Sequence, residues 1–159
     1  MTVKEYNNSV EKYADSVYRF IVGHINDKDR ANDIVQDAYE KLWRNVVEIE
    51  FMVVKSWLFS TAYNVMIDML RREKRISRME PEHDIMHNSQ YSDLNEILHK
   101  VLNRLPEQQK TVVLLRDYEG YNYKEISKIT GLSEAQVKIN IYRGRVALKS
   151  YIGTVEMVI

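Results

Sequence analysis

Apolar side chains recur every three to four residues along most of this 159-residue chain, the period of helices that bury one face. Tyr6, Val10, Tyr13, Ala14, Val17 and Ile21 line one side of a first helix. Asp27 suits the N-cap of a second, whose inward positions are Ala31, Ile34, Val35, Ala38, Leu42 and Val46. A third helix runs from about Val54 to Arg75 and buries Leu58, Thr61, Ala62, Val65 and Met69. The period lapses between Ile76 and Asp93, where MEPEHDIMHNSQYSD is polar and acidic and reads as a flexible linker. It resumes at Leu94, Ile97, Leu98, Val101 and Leu102, breaks at Pro106, and continues through Val112, Val113 and Leu115, with Pro106 suited to the first turn of that helix. Only the short VEIEF stretch alternates, so the class is all-α: two small helical domains joined by the linker.

The last block carries the chemistry. Asn122 and Glu125 form a capping-box pattern, and Ile126 and Ile129 give the helix they start an apolar side. Gly131 falls where the chain must turn sharply, and Ser133 with Gln136 repeats the box and starts another helix at once. Two helices about a glycine-containing turn are a helix-turn-helix, whose second helix enters the DNA major groove. In that second helix Val137, Ile141 and Leu148 share an apolar side with Ala147 near its edge. The rest of its surface offers Gln136, Lys138, Asn140, Arg143, Arg145 and Lys149. Amides pair with adenine edges, and guanidinium groups with guanine or phosphate. A solvated amphipathic helix would carry similar residues.

Composition narrows the classes. Basic and acidic side chains balance at 23 each, but Arg71 to Arg78 and Lys138 to Lys149 are locally basic while Glu80 to Glu96 holds no lysine or arginine. Local basic faces suffice for DNA, because counterion release depends on the phosphates touched. With no cysteine, disulfides, thiolate metal sites and cysteine nucleophiles are excluded. The start, MTVKEYNNSVEKY, lacks a signal-peptide core and no stretch approaches a membrane span, so a cytoplasmic protein without membrane insertion is expected.

Taken in order, DIVQDAYEKLWRN, KSWLFSTAYNVMIDMLRREKR and LNRLPEQQKTVVLLRDYEGYNYKEISKITGLSEAQVKINIYRGRVALK resemble the blocks of a bacterial RNA polymerase sigma factor of the extracytoplasmic function type. The resemblance implies region two at 1–76, a linker at 77–93, region four at 94–152 and an apolar tail at 153–159. It also implies that the chain binds RNA polymerase core and promoter DNA, with an anti-sigma factor as a further partner, and needs no cofactor, metal or small-molecule substrate.

Each block can be read physically beside that implication. Asp33, Gln36, Asp37 and Glu40 share the outer side of the second helix, with Trp43 at its end. Carboxylates beside an exposed aromatic suit a protein better than DNA; the family uses this face for the clamp helices of the polymerase's largest subunit. A solvated acidic face with Trp43 tucked into the core would give the same pattern. On the third helix Trp57, Asn64, Asp68, Arg71 and Arg75 form a second face, flanked by Arg72 and Lys74. Its aromatic and amide beginning suits unpaired bases, and its cationic end suits phosphates. In the family this helix and the loop before it open and read the minus-ten element, and Asn64 stands where an amide meets the flipped base. A basic end complementing the helix dipole is the plainer reading of Arg71 to Arg78. Asp68, four residues before Arg72, is expected to pair within the helix. The recognition residues carried to region four are Ser133, Gln136, Lys138, Asn140, Arg143 and Arg145. Departures are visible too: the loop VVEIEFMVVK carries Glu48 and Glu50 instead of glycine and arginine, and Ile139 and Asn140 stand where many relatives have serine and arginine. The promoter sequence therefore does not carry over.

Two rivals come from other classes. An enzyme would need Asp33 and Asp37 with a histidine, but no phosphate loop or nucleophile constellation accompanies them. A helix-turn-helix repressor with an N-terminal sensor or dimerisation domain explains the last block equally well, but not the faces of the first two.

Overall fold

A computed structural model of the chain describes residues 1–77 and 93–156, with side chains described for 1–76 and 97–153. Residues 78–92 of the expected linker and the last residues of the tail lie outside the described residues, while the linker's expected ends, Ser77 and Asp93, belong to helices. Seven α-helices and no strand occur among those described.

α1 (Val3–Ile25) begins where Thr2 accepts a hydrogen bond from the Glu5 amide at 3.1 Å, and ends at Asn26, whose φ of 54° turns the chain. α2 (Lys28–Arg44) follows at once, capped as expected by Asp27, which accepts from the Arg30 amide at 3.2 Å. A short 3₁₀ turn, Phe51–Val53, feeds α3 (Val54–Ser77). After α4 (Asp93–Asn103), Pro106 takes the N-cap position of α5 (Glu107–Val113), one residue earlier than a first-turn proline. α5 widens into a π turn at Leu114–Tyr118, and then come α6 (Tyr123–Thr130) and α7 (Glu134–Glu156). α7 runs through 153–156, so the start of the expected tail is helix.

The buried faces follow the apolar period with one shift. Val10 is 37% exposed, and Ser9 takes the inward place instead. Burying Ser9 is cheap because its hydroxyl donates to the Tyr6 carbonyl at 2.6 Å, while its own carbonyl accepts from the Tyr39 hydroxyl at 2.8 Å. In α3 the deepest side chains are Val54, Leu58, Phe59, Ala62 and Met66, whereas Thr61, Val65 and Met69 are half-buried. The apolar face of α3 is wide because the helix packs against α1 and α2 on one side and α6 on the other.

That last contact joins the two blocks. One cluster of buried side chains runs from Val17 and Leu42 through Phe59 and Tyr121 into Ile126, Val137 and Ile141. The Phe59 and Tyr121 rings meet edge-on at 5.0 Å, and the Lys55 ammonium sits 4.0 Å over the Tyr121 ring while reaching Glu125 at 3.4 Å. Arg19 of α1 reaches Glu119 at 3.5 Å. Nothing in the periodicity foretold this interface, because each block supplies only half of it.

Candidate nucleic-acid and protein interfaces

The acidic face of α2 is built as the sequence implied. Asp33, Gln36, Asp37 and Glu40 are all exposed, because Ala31, Ile34, Ala38 and Leu42 turn inward and carry them to the outer side. Trp43 is not in the core: it is 49% exposed, and Tyr6 braces it edge-on at 5.1 Å. An aromatic that is both exposed and held in place is a ready anchor for a protein partner, since little side-chain freedom is lost on binding. Glu40 also accepts from Arg44 at 2.6 Å, so its charge is partly answered within the helix.

On α3, Asn64, Asp68, Arg71, Arg72, Lys74 and Arg75 are exposed, and Trp57 is half-buried against the core at the other end. The amide and the cations thus share an open surface, whereas Trp57 offers only part of its ring. Among the described residues Asp68 and Arg72 form no ion pair with each other, contrary to the expected intrahelical pairing, and both are exposed. The loop before α3 is more apolar at its surface than its two carboxylates suggested: Val47 and Met52 are 88% and 92% exposed.

The helix-turn-helix forms with the expected caps. Asn122 accepts from the Glu125 amide at 2.8 Å, although the Glu125 carboxylate turns to Lys55 instead of closing the box. Gly131 adopts φ 79°, the left-handed conformation that ends α6. Ser133 and Gln136 complete a reciprocal capping box, with bonds of 3.1 Å and 2.9 Å. Gly144 lets α7 approach α5, since a Cβ there would stand 2.7 Å from Val113 Cγ2.

These contacts sort the residues expected to meet DNA. Lys138 and Arg143 are exposed and form no ion pair among the described residues. Arg145 is held by Asp117, with Nε at 3.1 Å, which raises its pKa. Asn140 is half-buried and donates to the Gln136 carbonyl at 2.8 Å, while the Gln136 side chain is engaged by its cap.

A buried polar cluster between the blocks had no signal in the sequence beyond a histidine at the end of a helix. Lys110, 7% exposed, donates from Nζ to the His24 carbonyl at 2.7 Å and to Asn103 Oδ1 at 2.8 Å. Thr111 Oγ1 lies 3.3 Å from His24 Nε2. Desolvation by burial, with the Lys110 charge beside it, lowers the His24 pKa to about 3. Burial also lowers Lys110, to about 8, against the opposing pull of Glu107. Among the described residues no group of three or more histidine, aspartate and glutamate side chains could hold a metal ion, and no helix is long and apolar enough to cross a membrane.

Known proteins share this organisation. Residues 9–76 match the family described as Sigma-70 region 2, and residues 95–148 match Sigma-70, region 4. The chain is 29% identical over 157 residues to the ECF RNA polymerase sigma factor SigM of Bacillus subtilis, with 94% of each chain covered. It is 30% identical to the RNA polymerase sigma factor SigV of the same organism, with 84% of this chain and 82% of SigV covered. Its structure is similar to the sigma factor RpoE solved in complex with the anti-sigma factor NepR from Bartonella quintana, at a TM-score of 0.81 and 25% identity, with 95% of this chain and 98% of that one covered. Both sigma regions in order, on a fold shared along nearly the whole length, place the chain in the sigma-70 family: it is an RNA polymerase sigma factor of the extracytoplasmic function type, which directs promoter-specific transcription initiation.

Proposed function

We propose that this sigma factor divides its work among three faces. The outer side of α2, with Asp33, Gln36, Asp37, Glu40 and Trp43, joins the polymerase core. Asn64 and the Arg71, Arg72, Lys74 and Arg75 end of α3, with Trp57 at its margin, read and open the minus-ten element. α7 reads the minus-thirty-five element, with Lys138 and Arg143 on phosphates. The chain performs no chemistry itself and acts in the cytoplasm, where the polymerase is. The observation that carries this reading is the separation of charge: carboxylates with a braced tryptophan on α2, and an amide with cations on α3 of the same block. DNA would be repelled by the first and drawn to the second.

An anti-sigma factor is the further partner. The sigma factor that this chain resembles in fold was solved in complex with an anti-sigma factor, which supports a partner of that kind here.

Reversing charge on the α2 face tests the division. Asp37→Arg should fold normally, because the residue is exposed, and should bind core polymerase at least tenfold more weakly, about 1.4 kcal/mol. Equal affinity of variant and wild type in a titration against core would remove the α2 assignment.

A further inference from the structure

The outermost stripe of α7 is apolar. Val137 and Ile141 are buried at 0% and 1%, and Gly144 abuts Val113 on the same inward side. Opposite them stand Ile139, Tyr142 and Val146, exposed by 45%, 69% and 52%. Their spacing of three and four residues keeps them on one line along the helix. The amides that could read adenine are engaged elsewhere: Gln136 in its cap, and Asn140 on the Gln136 carbonyl. Arg145 is held by Asp117.

We propose that Ile139, Tyr142 and Val146 read the C5-methyl groups of successive thymines in the minus-thirty-five element. This rests on α7 being the promoter-reading helix. The methyl of thymine is the apolar feature of the major-groove edge, so an apolar stripe entering that groove selects T·A pairs by contact and disfavours pairs that leave it against polar edges. The flanks identify DNA as the occupant: exposed Lys138 and Lys149 lie on one side of the stripe and exposed Arg143 on the other, an arrangement complementary to the phosphate walls of a groove. From Ile139 to Val146 the helix rises by about 10 Å. At roughly 3.4 Å per base pair, that span covers about three pairs. The stripe thus reads a short thymine-containing run, with Ile139, nearest the N-terminus of α7, deepest in the groove.

The test uses holoenzyme reconstituted from the full chain and polymerase core. Binding sites are selected from a randomised promoter library, and the selected upstream element is remade with deoxyuridine for each thymine in turn, which deletes only the methyl. The expected result is thymine at two or more of about three adjacent positions, counting either strand, matching the span above. Each critical methyl should contribute about fourfold in affinity, the equivalent of the roughly 0.8 kcal/mol of one buried carbon. Ile139→Ala should abolish the uridine effect at one position and leave it at the others, as a coupling cycle requires.

A selected element without thymine, or uridine substitutions that are silent throughout, would overturn the proposal. If Arg143→Ala and Lys138→Ala still weaken binding in that case, only the methyl reading falls. If they too are silent, α7 is not the reader and the assignment beneath it falls with it. Loss of a sedimenting dimer in Ile139→Ala, with uridine sensitivity unchanged, would make the stripe a protein–protein surface and equally overturn the proposal.

Discussion

Acid should loosen the joint between the two blocks through His24. The folded protein holds this ring near a pKa of about 3, by burial first and by the neighbouring Lys110 charge second. An unfolded histidine titrates near 6.5. Between those values the unfolded chain takes up a proton that the folded chain refuses, so stability is present above pH 6.5 and falls as pH drops towards 3. The full slope for one proton is about 1.4 kcal/mol per pH unit. Half of that, about 0.7 kcal/mol per unit, is the fair expectation because part of the residue still meets water. From pH 6.5 to 4.5 the histidine contribution is then about 1–2 kcal/mol.

Other groups at the joint titrate too. Burial raises the Glu119 carboxyl, with Arg19 pulling the other way, so the folded state binds its proton more readily and Glu119 opposes the loss just above its ordinary range. Lys110 stays charged throughout this window, and Thr111 does not titrate. A difference between two proteins removes these shared terms. Urea unfolding followed by circular dichroism at several pH values, for wild type and His24→Gln, isolates the ring. Wild type should lose stability faster than the variant as pH falls below 6.5, by about 0.7 kcal/mol per unit. Parallel curves would mean that the ring titrates freely in the folded protein, and the argument from burial would be wrong.

Gly144→Ala should destabilise by about 1 kcal/mol, because overpacking against Val113 outweighs the helix propensity gained. In a Val113→Ala background the same change should become stabilising, and thermal melts of the four proteins check the change of sign. Asn64→Ala should leave core binding unchanged and weaken promoter opening by about 1–3 kcal/mol, measured by permanganate reactivity of the melted strand. Arg143→Ala should reduce the log–log salt slope of holoenzyme binding by about 0.9. Arg145→Ala should leave that slope alone and cost about 0.2–1 kcal/mol of stability, the range of a surface ion pair.

The helices, their caps and the turn of the helix-turn-helix were legible because each rests on local signals: apolar spacing, Asp27, Asn122, Gly131, and Ser133 with Gln136. The acidic face of α2 was legible for the same reason, since a helix fixes which residues lie opposite its buried side. What escaped depends on contacts between residues far apart in the chain. Periodicity cannot say that Lys55 will lie over Tyr121, that Lys110 will reach back to the His24 carbonyl, or that Asp117 will take Arg145. The apolar stripe of α7 lies opposite the inward Val137 and Ile141, as helix geometry requires, but the cations around Ile139, Tyr142 and Val146 masked it in the sequence. Val10 and Ser9 exchanged roles because a serine bonded to its own helix buries more easily than its type suggests.

The central claim, that this chain confers promoter specificity on RNA polymerase through separate protein-facing and DNA-facing surfaces, is tested most directly by transcription from a randomised promoter library. Core polymerase would be supplied with wild type, Asp37→Arg or Asn64→Ala. Wild type should yield discrete transcripts that share an upstream and a downstream element. Asp37→Arg should yield few at any promoter until its concentration is raised, and Asn64→Ala should bind core normally yet open promoters poorly. A wild-type chain that binds duplex DNA tightly by itself and adds no transcripts to core polymerase would contradict the account.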